Sequence, residues 1–560
     1  MAKVELEIVG MTCADCALHV RRGLERAGAR AVSVDWRSGT ATIATGGPTR
    51  EQINEALAGT RYRVARVREP PGPDSESTWA AASEQAQGSK RAQGSEHAQG
   101  SEHAQGAAQP YDYDLVVLGS GGAAFAGAIR ARDLGASVLM VETGTIGGTC
   151  VNVGCIPSKS LLVSSLRSRG RAEAMREAVS AKARLVTRLR QEKYIDLLDE
   201  YGIELRSGTA RLGGPHTVEV DGEAVSARAI LIATGARPAI PEIEGLDAAG
   251  YLTSTTALDV LEPPGRLAVI GAGSVGLELG QMFGNFGANV TFIARRALAP
   301  RSEPEISQVI RGVLEAQGHT VLEHANVRRV LTDKGGKVLE VEVAGATRQV
   351  RVDEILVAAG RRPNTELLAL EPTGVRTDPS GAILVDSHQR TSVPSIYAAG
   401  DVTDQPRFVY VAAAGGAAAA ENALGAGEQS LDFANLPQVT FTSPQIAVAG
   451  LTEAQARELG FEVQTKVLGL QAIPRALVNG ETEGLFKLVA EAGTGRLLGA
   501  SIIAESAGEV IQSAVLAIGA GMTVTDLAST WAPYLTMAEG LKLAAQTFAR
   551  DVAKLSCCAA

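Results

Sequence analysis

The stretch "YDLVVLGSGGAAFAGAIRARDLGASVLMVETG" (residues 113–144) decides the fold. An apolar run typical of a buried strand ends at Gly119, and a small-residue loop with Gly121 and Ala124 then opens a helical pattern. A second apolar run ends at Glu142. Small residues allow a tight turn and let a pyrophosphate reach the amides of the helix N-terminus, while an acid after the second strand suits ribose hydroxyls. The stretch therefore predicts a βαβ unit that binds a dinucleotide.

The same pattern returns in "GRLAVIGAGSVGLELGQMFGNFGANVTFIARR" (265–296). Ala294 stands where the acid would be, and Arg295 and Arg296 follow it. The loss of a carboxylate together with added arginines suits a 2′-phosphate, which predicts a preference for NADPH over NADH. The alternative that both arginines are ordinary solvated surface residues stays open. The glycines of this second loop are Gly271, Gly273 and Gly276.

Three further strand ends carry small residues, as close packing on a flavin requires. They are "ILIATGARP" (230–238), "ILVAAGRRPN" (355–364) and "SIYAAGDV" (395–402). Gly235 lies in the first of them, and Asp401 in the third is a candidate ligand of a ribityl chain. Two dinucleotide sites in one chain predict a flavoprotein, with FAD at the first site and NADPH at the second.

A cysteine pair follows the first dinucleotide loop, in "GGTCVNVGCIPSK" (147–159). The C-x4-C spacing places Cys150 and Cys155 on successive turns near a helix start, with Lys159 one turn further on. The sulfurs can form a disulfide there, and a helix N-terminus lowers the pKa of a thiol. We expect a redox-active pair.

This cysteine segment, the two nucleotide loops and "YAAGD" resemble the pyridine nucleotide–disulfide oxidoreductases over residues 111–560. The resemblance implies a homodimer whose chain has an FAD domain, an NADPH domain and a C-terminal dimerisation domain. It also implies that Cys150 exchanges with substrate, that Cys155 is the flavin-side thiolate, and that Lys159, near the flavin, pairs with Glu278. Further FAD contacts that it implies are Ala124, Gly144, Thr149 and Val409.

The chain departs from the disulfide-reducing members of that family, which carry a His-Pro near the C-terminus for proton transfer. The matching stretch here is "STWAPYLTMAEGLKLAAQTF" (529–548), where Ala532 precedes Pro533, and no histidine follows His388. The chain therefore lacks a proton donor for a leaving thiolate. A substrate that needs no such proton, such as a metal ion reduced by two electrons, is favoured.

The terminal "KLSCCAA" places Cys557 and Cys558 side by side. With the stretch above, this tail resembles the Hg(II)-reducing members of the family. The resemblance implies that the tail pair of one subunit passes Hg(II) to the active-site pair of the other, between Tyr194 and Tyr534. Thiolates prefer soft cations, which suits such an exchange. A packing role alone stays open for each tyrosine.

Residues 1–68 have the strand and helix pattern of a ferredoxin-like βαββαβ module. Its "GMTCADC" (10–16) resembles the metal-binding loop of heavy-metal-associated domains, so Cys13 and Cys16 are predicted metal ligands. A zinc ribbon would need a second cysteine or histidine pair, which the module lacks. His19 is assigned to the surface.

Residues 69–110 contain four hexapeptide repeats with almost no large apolar side chains, and they predict a flexible tether. Such a tether would raise the effective concentration of captured metal at the tail. Metal binding by His97 and His103 stays open.

The predicted fold class is α/β, with two Rossmann-like domains and an α+β dimerisation domain after the tethered module. A net charge of −9 argues against nucleic acid, and neither a signal peptide nor an apolar run of spanning length is evident, so we expect a cytoplasmic protein without membrane insertion. The predicted domains are heavy-metal-associated 1–68, tether 69–110, FAD 111–265 and 356–435, NADPH 266–355, and dimerisation 436–560.

The predicted function is NADPH-dependent reduction of Hg(II), delivered as thiol complexes, to volatile Hg(0). A mercury transporter is a candidate delivery partner. Two alternatives stay open. One is a disulfide reductase of the glutathione reductase or dihydrolipoamide dehydrogenase type, and the other is a metal-binding protein without catalysis.

Overall fold

The computed structural model divides the chain into two compact units, residues 1–106 and 107–560. The predicted tether up to residue 109 and several predicted ligands lie outside the described residues, namely Cys13, Cys16, His19, His97, His103, Cys557 and Cys558. The described residues are 3–9, 20–21, 24, 27–30, 32–35, 40–44, 48–49, 52–54, 57, 63–68 and 110–551.

The first unit contains a four-stranded antiparallel sheet in the order β2-β3-β1-β4. Its inward side chains alternate along β1, where Val4, Leu6 and Ile8 are buried. This strand order is that of the predicted ferredoxin-like module. The strands are β1 (Lys3–Val9), β2 (Ser33–Asp35), β3 (Thr40–Ala44) and β4 (Arg63–Arg68).

The first nucleotide domain of the second unit contains a parallel sheet in the order β7-β6-β5-β10-β21, with the β8–β9 hairpin continuing from β10. The strands are β5 (Tyr113–Leu118), β6 (Val138–Glu142), β7 (Glu204–Ser207), β8 (Ala210–Gly214), β9 (Thr217–Val220), β10 (Glu223–Ile232) and, far along the chain, β21 (Ile396–Ala398).

The second nucleotide domain has its own parallel sheet, β12-β19-β13-β14-β15, and an antiparallel sheet β16-β17-β18. The pair β11–β20 lies where the chain passes between the two nucleotide domains. The predicted NADPH domain covers residues 266–355, but β12 lies before residue 266 and β19 ends after residue 355. The sheet of this domain therefore extends beyond the predicted boundaries at both ends. The strands are β11 (Ala236–Pro238), β12 (Leu252–Thr253), β13 (Arg266–Ile270), β14 (Asn289–Ile293), β15 (Thr320–Leu322), β16 (Ala325–Asp333), β17 (Gly336–Val343), β18 (Ala346–Val352), β19 (Glu354–Val357) and β20 (Arg361–Pro363).

The C-terminal domain contains an antiparallel sheet in the order β22-β23-β26-β25-β24. Every residue of β26 is buried, because helices of this domain cover one face of the sheet and the second nucleotide domain covers the other. Trp531 is fully exposed on this domain, which suits a protein–protein interface. The strands are β22 (Gln438–Thr440), β23 (Gln445–Gly450), β24 (Val463–Gly469), β25 (Leu485–Glu491) and β26 (Leu497–Ala504).

The helices of residues 110–551 flank these sheets, and none in the described part of the chain combines the length and apolar character needed to cross a membrane. The Ala-rich stretch of residues 411–424 forms most of helix α10. The α-helices are α1 (Gly122–Asp133), α2 (Gly148–Val153), α3 (Cys155–Arg167), α4 (Ala174–Arg190), α5 (Asp196–Tyr201), α6 (Leu246–Ala249), α7 (Ser274–Asn285), α8 (Pro304–Ala316), α9 (Leu370–Thr373), α10 (Val409–Leu424), α11 (Glu453–Glu458), α12 (Pro474–Asn479), α13 (Ala507–Gly519), α14 (Val524–Ser529) and α15 (Glu539–Gln546).

Candidate active site

The cysteine pair lies where one short helix ends and the next begins. Cys150 is inside α2, and Cys155 is the first residue of α3. Gly154 separates the two helices, and a Cβ there would lie 2.8 Å from the Thr149 carbonyl oxygen, so the close approach of the two turns needs glycine. Both thiols are free. The predicted helix-start region is therefore two helices with a break between the cysteines.

The two thiols differ in charge state because one donates to the other. The hydrogen bond from Cys150, together with the nearby Lys159 ammonium, lowers the pKa of Cys155 to about 7. The same hydrogen bond, with burial, raises the pKa of Cys150 well above its ordinary value. As the pH rises through neutrality, Cys155 is therefore the thiol that ionises, and Cys150 keeps its proton.

Lys159 and Glu278 form an ion pair, with 2.6 Å between Nζ and Oε2. Glu278 is buried, and its other carboxylate oxygen accepts the Phe441 N–H at 2.9 Å. The Phe441 ring lies 4.8 Å from the Lys159 ammonium, measured to the ring centroid. This cluster connects α3 of the first nucleotide domain with α7 of the second and with the start of the C-terminal domain.

Tyr194 lies near the cysteine pair, on a π-helical turn that continues α4. Its ring packs edge-on against Phe125, with 4.9 Å between centroids. Burial raises the pKa of Tyr194, and the negative charge on Cys150 or Cys155 raises it further. Tyr534 lies instead in the loop between α14 and α15 of the C-terminal domain, with half of its side chain exposed.

Tyr410 is a second tyrosine near the pair that the sequence reading missed. Burial raises the pKa of Tyr410 to about 12, and the charge on Cys155 contributes to the rise. Its hydroxyl donates a hydrogen bond to the Pro437 carbonyl oxygen. The signal that could have found it is its position directly after Val409, the predicted flavin contact at the start of α10.

The first glycine loop forms a cradle at the N-terminus of α1, which no side chain caps. Gly119 has φ +109°, and a Cβ there would lie 2.5 Å from the Ala233 carbonyl oxygen. Glu142 is oriented at the strand end by the Ser120 hydroxyl, 2.5 Å from Oε2, and by the Gly144 N–H, 2.6 Å from Oε1. Uncapped amides and an ordered carboxylate fit the diphosphate and ribose of a dinucleotide such as FAD.

Arg361 adds a partly buried positive charge beside this cradle, and the sequence analysis did not predict it although it is part of the quoted "GRRPN". Its Nη2 lies 3.3 Å from Thr149 Oγ1, and its Nε lies 3.3 Å from Asp401 Oδ2. Within the described residues Nε makes no hydrogen bond. Burial lowers the pKa of Arg361. A guanidinium with a buried Nε that makes no hydrogen bond fits an anionic ligand.

The other predicted cofactor residues of the first cradle differ in accessibility. Val409 is exposed at the first position of α10. Gly235 has φ +67° and open space where a side chain would be. Ala124 is completely buried, so its side chain packs in the domain core and does not line the surface of the cradle.

The second glycine loop forms a matching cradle at the N-terminus of α7, which also lacks a side-chain cap. Gly271 has φ +107°, and a Cβ there would lie 2.4 Å from the Ala358 carbonyl oxygen. Arg295 and Arg296 are exposed in the loop after β14, and no salt bridge to either appears among residues 110–551. Arg301, in the same loop, is a third exposed arginine without a salt bridge in the described part of the chain, and the sequence analysis did not predict it. The remaining glycines of the loop are Gly273 and Gly276.

No group of three or more histidine, cysteine or acidic side chains in the described residues is arranged to hold a metal ion. Cys150 and Cys155 are the two cysteines among the described residues, and thiolates prefer soft cations.

Family comparison agrees with this architecture. Residues 113–416 match the model "Pyridine nucleotide-disulphide oxidoreductase", and residues 436–545 match the dimerisation domain of the same family. The chain belongs to this family. The match of the C-terminal domain supports a homodimer, and both parallel sheets confirm the predicted α/β fold class.

Curated relatives carry the name mercuric reductase. The chain is 44% identical to that of Staphylococcus aureus, with 99% of each chain covered, and 45% identical to that of Bacillus cereus, with 100% of this chain and 87% of the relative covered. The relative from Streptomyces lividans is 50% identical over 80% of this chain and 98% of its own. Among solved structures, the HOCl-induced flavoprotein disulfide reductase RclA from Escherichia coli matches with TM-score 0.71 and 32% identity, covering 78% of this chain and 99% of that one.

Proposed function

We propose that this chain is an NADPH-dependent flavoenzyme of the cytoplasm that reduces Hg(II) to Hg(0). The observation that carries the proposal is the thiol–thiolate pair of Cys150 and Cys155 between two dinucleotide cradles. The mercuric reductases, 39–50% identical, support Hg(II) as the substrate. The net reaction is NADPH + Hg²⁺ → NADP⁺ + H⁺ + Hg⁰.

FAD, when bound, supplies the site that accepts the hydride of NADPH and passes two electrons on. The residues that would hold it are those of the first cradle, with Glu142 on the ribose, Asp401 on the ribityl chain and Arg361 on the diphosphate. Arg295 and Arg296 would bind the 2′-phosphate of NADPH, which a negatively charged strand end would repel. Lys159, paired with Glu278, keeps a positive charge beside Cys155.

The cysteines bind the substrate metal in this proposal. Cys155 offers a ready thiolate, and Cys150 loses its proton when Hg(II) binds, because soft cations coordinate thiolate and not thiol. Exchange of one thiolate pair for another moves the ion without releasing it to water. Hg(0) has little affinity for thiolate and leaves.

We further propose a relay in which Cys13 and Cys16 capture Hg(II) and the tail cysteines transfer it to the active-site pair of the other subunit. Tyr194 would line that site from the same subunit, and Tyr534 from the C-terminal domain of the other. The tail cysteines are Cys557 and Cys558. The incoming ion would arrive as a thiol complex, with a mercury transporter as candidate donor.

A disulfide reductase is the competing function, because the RclA structure bears that title. Ala532 before Pro533 argues against it, since no histidine is present there to protonate a leaving thiolate. The deciding experiment measures NADPH oxidation by the purified protein with Hg(II) in excess thiol, with oxidised glutathione and with lipoamide. Oxidation that depends on Hg(II) alone supports the proposal. Its absence with Hg(II), or equal oxidation with a disulfide, would refute it.

A further inference from the structure

The segment Pro437–Ser443, at the start of the C-terminal domain, runs along one face of helix α7. The segment contacts Ser274, Glu278 and Gln281 of α7, which are spaced four and three residues apart and therefore share one face of the helix. At the N-terminal end of the segment, the Pro437 carbonyl oxygen accepts a hydrogen bond from the Tyr410 hydroxyl. The contacts with α7 are Thr440 Oγ1 to Ser274 Oγ (2.7 Å), Phe441 N–H to Glu278 Oε1 (2.9 Å) and Ser443 N–H to Gln281 Oε1 (2.7 Å).

Phe441 is the residue of this segment that contacts both members of the ion pair. Its amide hydrogen occupies one carboxylate oxygen of Glu278, which leaves the other oxygen for the Lys159 ammonium at 2.6 Å. Its ring lies 4.8 Å from the same ammonium, within the range of a cation–π contact. The Lys159 side chain is one-third exposed, so its charge would otherwise be able to turn toward water.

The Phe441 side chain is 38% exposed and lies beside the buried Glu278 carboxylate. The Phe441 ring faces the Lys159 ammonium, about one turn from Cys155, the first residue of α3.

We propose that Phe441 is a positioning residue for the reductive chemistry: its amide orients the Glu278 carboxylate, and its ring holds the Lys159 ammonium beside Cys155. This inference rests on the proposed function, since the positioned charge acts on the flavin-side thiolate. Through Phe441, the C-terminal domain would contribute to the electrostatics of the active site in the same chain.

The test compares Phe441→Leu, which removes the ring, with Phe441→Tyr, which keeps it. In the reduced holoenzyme, the alkylation rate of Cys155 by iodoacetamide is measured against pH, and flavin reduction by NADPH is followed by stopped flow. Phe441→Leu should raise the alkylation midpoint by about 0.5 to 1 pH unit and slow flavin reduction about three- to tenfold. Phe441→Tyr should restore both values. The charged and titratable groups that influence Cys155 in these measurements are Cys150, Lys159, Glu278, Arg361, Tyr194 and Tyr410.

Phe461→Leu is the matched control, because its ring lies 5.8 Å from the Arg496 guanidinium in another part of the same domain. It should leave both measurements unchanged. An unchanged alkylation profile in Phe441→Leu, or an equal change in Phe461→Leu, would overturn the proposal. If Phe441→Leu does not fold, Phe441→Met replaces it with a side chain of similar bulk that lacks a ring. Neither measurement uses Hg(II), so failure of metal reduction would not be mistaken for failure of this inference.

Discussion

At the scale of single residues, the charge on one cysteine depends on the proton of the other. Replacing Cys150 with alanine removes the donor of the hydrogen bond that most lowers the pKa of Cys155. The midpoint for alkylation of Cys155 should therefore rise from about 7 toward the ordinary thiol value, and the rate at pH 7 should fall about fivefold. Iodoacetamide labelling followed by mass spectrometry provides the measurement.

The direction of this effect follows from the thiolate being the reactive form. Above pH 9 both proteins should react at similar rates, because Cys155 is then deprotonated in either. Cys150→Ser keeps a hydroxyl donor and should show a smaller rise than Cys150→Ala. Equal midpoints in the wild type and Cys150→Ala would mean that Lys159 alone sets the charge of Cys155.

At the scale of an element, the loop after β14 should decide the nucleotide preference. Arg295→Ala/Arg296→Ala removes two exposed cations that have no carboxylate partner in the described residues. The KM for NADPH should rise about tenfold or more, with little change for NADH, because only NADPH carries the 2′-phosphate. Steady-state kinetics with both nucleotides measure this, and Arg348→Ala, exposed on β18, is the control. An equal loss for both nucleotides would contradict the assignment.

A buried ion cluster between α8 and the C-terminal sheet gives a second element-scale prediction. Lys487 is buried on β25, and its ammonium lies 3.1 Å from Glu303, 2.9 Å from Glu305 and 3.0 Å from Glu453. Lys487→Met leaves the buried Glu303 carboxylate without its cation, which should lower the free energy of unfolding by about 3 kcal/mol. Urea titration provides the measurement, and Lys466→Met on the exposed face of β24 is the control.

The pH dependence of that loss has a defined sign. The three carboxylates raise the pKa of Lys487, so its stabilising contribution is complete below its unfolded-state pKa, about 10.4, and disappears only as the pH rises above that. The difference between wild type and Lys487→Met should therefore stay constant from pH 6 to 9. It should shrink at lower pH, because the pKa of Glu453 is lowered by its hydrogen bonds to Lys487 and Arg457, and its protonation removes the attraction to Lys487. A difference that grows on acidification would show that the cluster is not the cause.

The elements that sequence could predict are those whose signal is local. The cradles at Gly119 and Gly271 each lie within one βαβ unit, so strand, loop and helix are adjacent in the chain. Arg361 and Phe441 could not be predicted in this way, because their partners lie 212 and 163 residues distant in sequence. Their contacts depend on how the three domains of the second unit pack, which no local pattern contains. The break at Gly154 was missed for a different reason, since C-x4-C spacing fits one continuous helix as well as two.

At the scale of the whole molecule, the described residues of the proposed catalytic site lie in one of the two compact units. Both cradles, the cysteine pair and the dimerisation domain lie within residues 113–545, whereas the first unit has its own sheet and its own buried side chains. A core that is complete in one unit does not need the other in order to fold. The N-terminal module can therefore contribute to delivery of the metal without contributing to the chemistry.

Removal of residues 1–110 should accordingly leave FAD stoichiometry, the KM for NADPH and turnover of Hg(II) with small thiols within about twofold of the full chain. Absorbance of the released flavin and steady-state NADPH oxidation measure these quantities. A deficit should appear only at low Hg(II), where a tethered donor at an effective concentration of about millimolar outcompetes free complexes. Cys13→Ala/Cys16→Ala in the full chain is the matched variant and should show the same deficit. Loss of FAD from the truncated chain would mean that the two units fold together, and a deficit in the truncation alone would assign delivery to some part of residues 1–110 other than the cysteine loop.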